Sequence, residues 1–340
     1  MDKVAVLGSG IFGFVLARHI SLLHPGTDVF MYDVVDKIID HLKQHRSHPV
    51  HLKRIRLPDN IHPTSDLKEA VDGASLIVAA VPAQFMRSAC RDFGPHITRD
   101  VIILNVAKAL ELKSHKRMSE VFSEELKDVP HMVHFAMLSG GMIAQEVAMD
   151  CPLFAEVACE EIGVAEQLQH FLSSPTLRLY TNTDLIGVEL AGAFKNVVSI
   201  LAGISDGLGY AAGTKAALKA IASGEIEILA GKMGAKPHTF SNKTLAWEAD
   251  LSTCVFGDSR NRYFGKLIGS GFSVKDALEE LEQESKRAEG YATSKVIHEV
   301  MSEHGLDLPL LDSIYAVLYE GKSPSVAISE LMTREYESIG

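Results

Sequence analysis

The sequence predicts an α/β protein, with an N-terminal doubly wound sheet of Rossmann type followed by an all-helical C-terminal domain. Three observations predict it. Near-continuous apolar runs alternate with helical segments through the first half, a glycine loop follows the first of those runs, and beyond about residue 182 the strand-like runs stop. Val4–Leu7, Val29–Tyr32, Leu76–Val81 and Val101–Leu104 read as parallel strands, because strands covered on both faces are hydrophobic throughout rather than alternating. Ile11–Leu23 and Phe85–Phe93 carry helical periodicity between them. That βαβ rhythm builds an open sheet with helices on both faces. Met132–Phe135 and Leu153–Val157 are expected to add strands. Ala- and Leu-rich stretches at 184–205, 213–231, 260–268, 273–287, 290–304 and 308–319 predict the later helices. The boundary falls near Asn182–Asp184, giving a sheet domain over 1–182 and a helical domain over 183–340.

Bulk properties narrow the class. At 340 residues the chain is too long for one small core. Its 46% hydrophobic and 23% charged residues are ordinary for a globular protein. A formal net charge of −11 argues against nucleic acid or an anionic membrane as partner, while leaving room for a small anionic ligand held by a few local cations. The first strand starts almost at Met1, so no secretory signal is expected. The longest apolar stretch, Leu185–Ile204, is interrupted by Glu189, Lys195, Asn196 and Ser199, so no membrane span is expected. Cys90, Cys151, Cys159 and Cys254 lack CxxC spacing and read as reduced, mostly buried thiols. His45, His48 and His51 sit in a polar Arg/Lys-rich segment and read as solvated surface rather than metal ligands; no metal is expected.

Gly8-Ser9-Gly10-Ile11-Phe12-Gly13 closes a strand and opens a helix, the context in which a GxGxxG pattern counts as dinucleotide-binding. Gly8 permits the tight turn, Gly10 lets backbone approach a diphosphate, and Gly13 allows close helix–strand packing. First-turn N–H groups and the helix dipole then favour the anion. The first domain is therefore read as dinucleotide-binding. Asp33, twenty residues past Gly13 at the end of the second strand, can accept bonds from ribose hydroxyls and repel a 2′-phosphate. With Val34-Val35 beside it, this favours NAD, with NADP as the alternative.

Leu185–Ile204 should be one helix on which Glu189, Lys195, Asn196 and Ser199 share a sector roughly 120° wide at about 100° per residue. The rest of that helix is apolar, so the polar sector is expected to line a cleft. Desolvation there is expected to lower the pKa of Lys195 and suit it to proton transfer.

These residues fall in a larger pattern. Gly187-Val-Glu-Leu-Ala-Gly-Ala-Phe-Lys195-Asn196-Val, Gly203-Ile-Ser-Asp-Gly-Leu-Gly209, Lys215-Ala-Ala-Leu218 and Ser259-Arg260-Asn261-Arg-Tyr-Phe-Gly265 follow one another in order. Ala288-Glu289-Gly290 and Leu318-Tyr-Glu-Gly321 come after them, with Ala80-Val-Pro82 and Asn105-Val-Ala-Lys108 at strand ends. In order and spacing the chain resembles the NAD(P)-dependent glycerol-3-phosphate dehydrogenases over nearly its whole length. The resemblance implies that Lys195 exchanges a proton with the substrate's C2 oxygen, that Lys108 orients the substrate, and that Asp250 pairs with a lysine. It implies a substrate site of Lys108, Gly140, Met142, Lys195, Asp250, Ser259, Arg260 and Asn261. Around the cofactor it implies Gly8, Gly10, Ile11, Phe12, Gly13, Asp33, Pro82, Lys108, Ala144, Arg260 and Glu289. Ser259 suits the N-cap of a helix from Arg260, whose start with Arg260 and Asn261 would cradle a phosphate. A small phosphorylated substrate, a role feeding phospholipid synthesis and a homodimer contact in the helical domain follow from the same resemblance.

Three departures stand out. Lys108-Ala109 replaces Lys-Gly, Ser139-Gly140-Gly141-Met142 replaces Ser-Gly-Pro and a small polar residue, and Ala246-Trp247-Glu248-Ala249-Asp250 replaces a glycine-rich turn. Besides the glycerol-3-phosphate reading, a dehydrogenase of another phosphorylated hydroxy compound and a non-catalytic dinucleotide sensor are the alternatives.

Overall fold

The computed structural model describes residues 1–283 and 287–333. The end of the helix expected over 273–287 and the last seven residues of the chain lie outside them. The chain divides into two compact units, Met1–Glu189 and Leu190–Gly340.

In the first unit the strands are β1 (Lys3–Leu7), β2 (Asp28–Tyr32), β3 (Ile61–Thr64), β4 (Leu76–Ala79), β5 (Val101–Asn105), β6 (Val133–Ser139), β7 (Leu153–Cys159) and β8 (Leu177–Asn182). Between them run α1 (Ile11–Leu23), α2 (Asp36–His45), α3 (Leu67–Val71), α4 (Ala83–Phe93), α5 (Met118–Glu125), α6 (Ala144–Ala148) and α7 (Ile162–Leu172). The sheet order is β3-β2-β1-β4-β5-β6-β7-β8. Its neighbours pair in parallel except β6 with β7, which is antiparallel. Side chains alternate between two apolar layers: Val4 and Val6 of β1 join the cluster on one face, Ala5 and Leu7 the cluster on the other. Both faces are covered, which is why the central strands read as unbroken apolar runs.

The sequence pattern missed β3 and β8, the two edges of the sheet. β3 is Ile-His-Pro-Thr, and a proline is tolerated in a strand where a sheet edge needs no ladder donor. In β8 burial alternates, with Leu177 and Leu179 inward and Arg178 and Tyr180 outward. An apolar-run criterion finds unbroken hydrophobic strands, and neither edge presents such a run. β4 also stops at Ala79 rather than Val81.

The remaining helices are α8 (Leu185–Gly207), α9 (Ala212–Lys232), α10 (Asp250–Phe256), α11 (Arg260–Gly269), α12 (Val274–Gln283), α13 (Glu289–His304), α14 (Pro309–Tyr319) and α15 (Pro324–Met332). α10 and α15 were not expected; they are short, at 7 and 9 residues. α8 is long and apolar enough to cross a membrane, but 94% of its apolar window is buried within the fold, as in a core helix.

α8 and α11 cross with their backbones in contact. A Cβ on Gly203 would meet the Arg262 carbonyl oxygen at 1.9 Å, and one on Gly265 would meet that of Ile200 at 2.0 Å. Gly207 and Gly269 lie equally tight, at 2.3 Å from the Lys266 and Ile204 oxygens. A side chain at any of the four would drive rigid helices apart. Gly265→Ala is expected to destabilise the protein by about 1–3 kcal/mol, as overpacking generally does. A thermal melt checks this, and a Tm equal to the parent's would show that the crossing can open without cost.

Candidate active site

The first unit holds its candidate residues on loops at the carboxyl ends of the strands, beside the point where the strand order reverses between β1 and β4. Gly8 adopts φ +100°, and a Cβ there would lie 2.6 Å from the Ala80 carbonyl oxygen, so the turns after β1 and β4 touch backbone to backbone. A Cβ on Gly13 would fall 2.0 Å from the Gly8 oxygen. Gly10 differs: a Cβ there would meet nothing within 4 Å. That open space, in front of the first-turn N–H groups of α1 at Ile11 and Phe12, is the kind of cradle a diphosphate occupies.

Asp33 is tied into this loop. One oxygen accepts from Ser9 N at 2.8 Å and Ser9 Oγ at 2.6 Å, the other from Val35 N at 3.0 Å. Val34 and Val35 beyond it are exposed. His48 corrects the sequence reading: His45 and His51 are exposed, but His48 is buried with its ring edge-on to Phe14. Its Nδ1 accepts from Val50 N and His51 N at 3.2 and 3.0 Å. Burial pushes the ring down to about 4, with the neighbouring His51 adding to the shift.

Lys108 follows β5 and donates from Nζ to the Gly140 carbonyl oxygen at 2.9 Å. Gly140, at φ +147°, lies against Ala155, whose Cα would be 2.9 Å from an added Cβ. Met142 is buried in the apolar layer, its N–H bonded back to the Gly140 oxygen at 2.7 Å. Pro82 caps α4, and Ala144, buried, opens α6. Ala109 is not among the residues with positive φ, so the methyl that replaces a glycine there meets no backbone strain.

Sequence reasoning missed what holds the Lys108 loop. The Gln84 amide donates to Leu110 O at 2.8 Å and accepts from Leu112 N at 3.0 Å. Arg87 grips both oxygens of Glu111, with its closest nitrogen at 2.7 Å, and also bonds Glu124 and Glu125. The Arg87 hydrogen bonds hold the Glu111 carboxyl below the usual range against the opposing effect of burial. Gln84 and Arg87, three apart on α4, were the available signal: a polar pair on the helix entering beside the loop.

The second unit holds the other candidates. Lys195, Asn196 and Ser199 of α8 are buried. Lys195 Nζ donates to Asp250 Oδ1 at 2.6 Å and to Cys254 Sγ at 3.0 Å. The Ser199 hydroxyl donates to the Cys254 carbonyl at 3.2 Å and lies 2.9 Å from Ser259 Oγ. Asn261 Nδ2 donates to Asn196 Oδ1 at 3.1 Å, and its Oδ1 accepts from Gly290 N at 2.9 Å, so this buried amide joins α8, α11 and α13. Ser259 caps α11 with a long 3.5 Å bond from Arg262 N. The Arg260 guanidinium is about half exposed and lies 3.8 Å from Glu289 at the start of α13. Of the expected phosphate cradle, Arg260 is the cation facing outward, and Asn261 beside it also joins the helix junction.

Asp250 reaches Lys195 because of the segment before it. Leu245–Ala249 is a π-helical turn that runs directly into α10. Such a turn absorbs an extra residue within a helix and is frequent at functional sites. It seats Trp247, buried against Phe240, and delivers Asp250 to the first position of α10.

The expected direction for Lys195 is corrected. Burial acts most strongly and pulls the ammonium down, but the charge of Asp250, joined by Cys254 and the bonds to both, outweighs it and holds Lys195 above its ordinary value. Glu189, placed on the same sector by the sequence, sits at the end of the first unit and bonds Arg117 at 3.0 Å and the Ser119 N–H and hydroxyl at 2.8 and 2.6 Å.

Residues 3–165 match the family model described as NAD-dependent glycerol-3-phosphate dehydrogenase N-terminus, and residues 184–329 match that of its C-terminus. The chain belongs to this family. A glycerol-3-phosphate dehydrogenase [NAD(P)+] of Clostridium botulinum is 36% identical over 338 residues, covering 99% of each chain. One from Chlorobium phaeobacteroides is 38% identical over 334 residues, covering 98% of each. The crystal structure of glycerol-3-phosphate dehydrogenase from Coxiella burnetii, 29% identical, matches with a TM-score of 0.88 over 98% of this chain and 99% of that one. The N-terminal family model covers the glycine loop and Lys108, and the C-terminal one covers Lys195, Asp250 and Arg260.

The buried pair makes a double prediction. Asp250→Asn leaves a buried ammonium without its counter-charge and is expected to cost about 3–5 kcal/mol of unfolding free energy. Lys195→Met with Asp250→Asn together is expected to cost less than the sum of the single changes. Because the folded pKa of Lys195 is raised, its contribution is full below the ordinary value of 10.5 and is lost only as pH climbs above it. Denaturant unfolding at neutral and strongly alkaline pH checks both statements; additive single changes would refute the pairing.

Proposed function

We propose that this protein is an NAD(P)-dependent glycerol-3-phosphate dehydrogenase, interconverting sn-glycerol 3-phosphate and dihydroxyacetone phosphate. The observation that carries the proposal is the Lys195–Asp250 pair, 2.6 Å apart and buried, on elements within the C-terminal family match. Bound nicotinamide supplies a hydride to substrate C2 or takes one from it. The glycine loop, with Ile11, Phe12, Asp33, Pro82 and Ala144 around it, is proposed to hold that cofactor, and the open space before Gly10 supports the fit.

Lys195 is proposed as the proton donor to the C2 oxygen when the ketone is reduced. The group held beside Asp250 is the ammonium, which carries the proton this direction requires. Asp250 fixes the ammonium and keeps it charged. Lys108 is proposed to orient the substrate and balance charge on the developing alkoxide. Arg260, the outward-facing cation at the start of α11, is proposed to bind the phosphate with the first-turn N–H groups of that helix. Preference for NAD over NADP is supported by Asp33 and the exposed Val34-Val35, which offer a carboxylate and no cation where a 2′-phosphate would lie. Action in the cytoplasm and a homodimer contact in the helical unit belong to the same reading.

Purified protein is expected to oxidise NADH with dihydroxyacetone phosphate, faster than NADPH, and to ignore unphosphorylated dihydroxyacetone. Cofactor binding without turnover would favour a sensor instead. Lys195→Ala is expected to lower kcat by at least about a hundredfold at nearly unchanged NADH affinity. Arg260→Ala should raise the KM for the phosphorylated substrate by about 10- to 100-fold, the loss of charge-assisted hydrogen bonds, and leave the cofactor's KM much less affected. An unchanged substrate KM would place the phosphate elsewhere.

A further inference from the structure

Lys195 has a second acceptor besides Asp250: Cys254 Sγ, at 3.0 Å. The place of that sulfur is fixed through its own backbone. Ser199, one turn beyond Lys195 on α8, donates its hydroxyl to the Cys254 carbonyl, and the same hydroxyl meets Ser259 Oγ. Side chain and main chain of Cys254 thus both face the stripe of α8 that carries Lys195 and Ser199.

An ammonium has three N–H donors, and a thiol sulfur is a weak acceptor. A bond that weak adds little to stability, so the contact is better explained by geometry. One strong acceptor fixes one N–H but lets the flexible lysine chain swing about that oxygen. A second acceptor removes the swing and sets the direction of the third N–H. We propose that Cys254 is a positioning residue for the reaction: with Asp250 it aims the remaining N–H of Lys195 at the substrate's C2 oxygen, which makes the enzyme vulnerable to alkylation of this thiol. The inference rests on the dehydrogenase reading. With iodoacetamide the sulfur displaces iodide, an S–C bond forming as the C–I bond breaks while the thiol proton leaves to solvent. The added group then occupies the space of the contact.

Cys254→Ala is expected to lower kcat with dihydroxyacetone phosphate and NADH about tenfold through misplacement of the donor, with the KM for NADH unchanged. Cys254→Ser restores an acceptor and is expected to stay within about threefold of the parent. Parental kcat in Cys254→Ala overturns the proposal, and so does a Cys254→Ser enzyme no better than Cys254→Ala. In the parent, activity is expected to fall in step with carbamidomethylation of Cys254 followed by mass spectrometry; full modification with activity intact also overturns it. A parent that does not reduce dihydroxyacetone phosphate would remove the dehydrogenase reading instead. A substrate-free measurement separates the two failures. The Lys195 ammonium resonance of ¹⁵N-lysine-labelled protein, assigned by its loss in Lys195→Arg, is expected to move in Cys254→Ala; an unmoved resonance overturns the contact whatever the substrate.

Discussion

The second unit is organised around a buried charge that cannot be left alone. Lys195 is 6% exposed and Asp250 2%, and neither would be tolerable there without the other. An ion pair of this kind is a poor source of net stability, since the desolvation of both ions offsets most of their attraction. Its effect is to impose a geometry. α10 must begin where a carboxylate can reach the middle of α8, and the π-helical turn before it makes that possible with a tryptophan in the segment. The pair also reverses the simplest expectation for a buried lysine. Desolvation alone yields a neutral amine; desolvation beside a carboxylate yields a persistent ammonium.

The glycine contacts act on the same helix. Ser199 and Asn196 of α8 meet Ser259 and Asn261 where Gly203, Gly207, Gly265 and Gly269 let α8 and α11 approach until carbonyl oxygens fill the space of missing side chains. Small residues at the crossing and polar residues beside it are thus two parts of one constraint. Asn261 illustrates it: its amide bonds both Asn196 of α8 and Gly290 of α13, beside the outward-facing Arg260.

Much of this was legible in the sequence where a residue type has few physical uses. The four central strands, the glycine loop and α8 were readable because unbroken apolar runs, a GxGxxG after a strand and a lysine inside an apolar helix each have a narrow set of explanations. The edge strands were not, since β3 is four residues interrupted by a histidine and a proline and β8 alternates apolar with polar residues. His48 was misjudged because local polarity does not reveal that Phe14, in an earlier helix, closes over the ring. The sign of the Lys195 shift and the contact with Cys254 were out of reach for the same reason: both depend on partners more than fifty positions away, which the sequence lists but does not bring together.

The first unit fixes its candidate groups with several smaller devices. Its candidate groups lie on turns after β1, β2, β5 and β6, and a turn alone is too mobile to hold a reacting group in place. Each turn is therefore fastened by a different device: backbone contact between Gly8 and Ala80, the Asp33 carboxylate on Ser9, the Lys108 ammonium on the Gly140 carbonyl, and the Gln84 and Arg87 side chains on residues 110–112. The last of these works from outside the site. Arg87 grips Glu111, three residues beyond Lys108, and ties that loop to α4 and α5. Gln84 and Arg87 thus brace the loop after β5 from positions outside the proposed site. The cost is sensitivity at a distance: altering Arg87 would loosen Lys108 without touching it, so the residues that determine precision in this protein extend well beyond those that meet substrate.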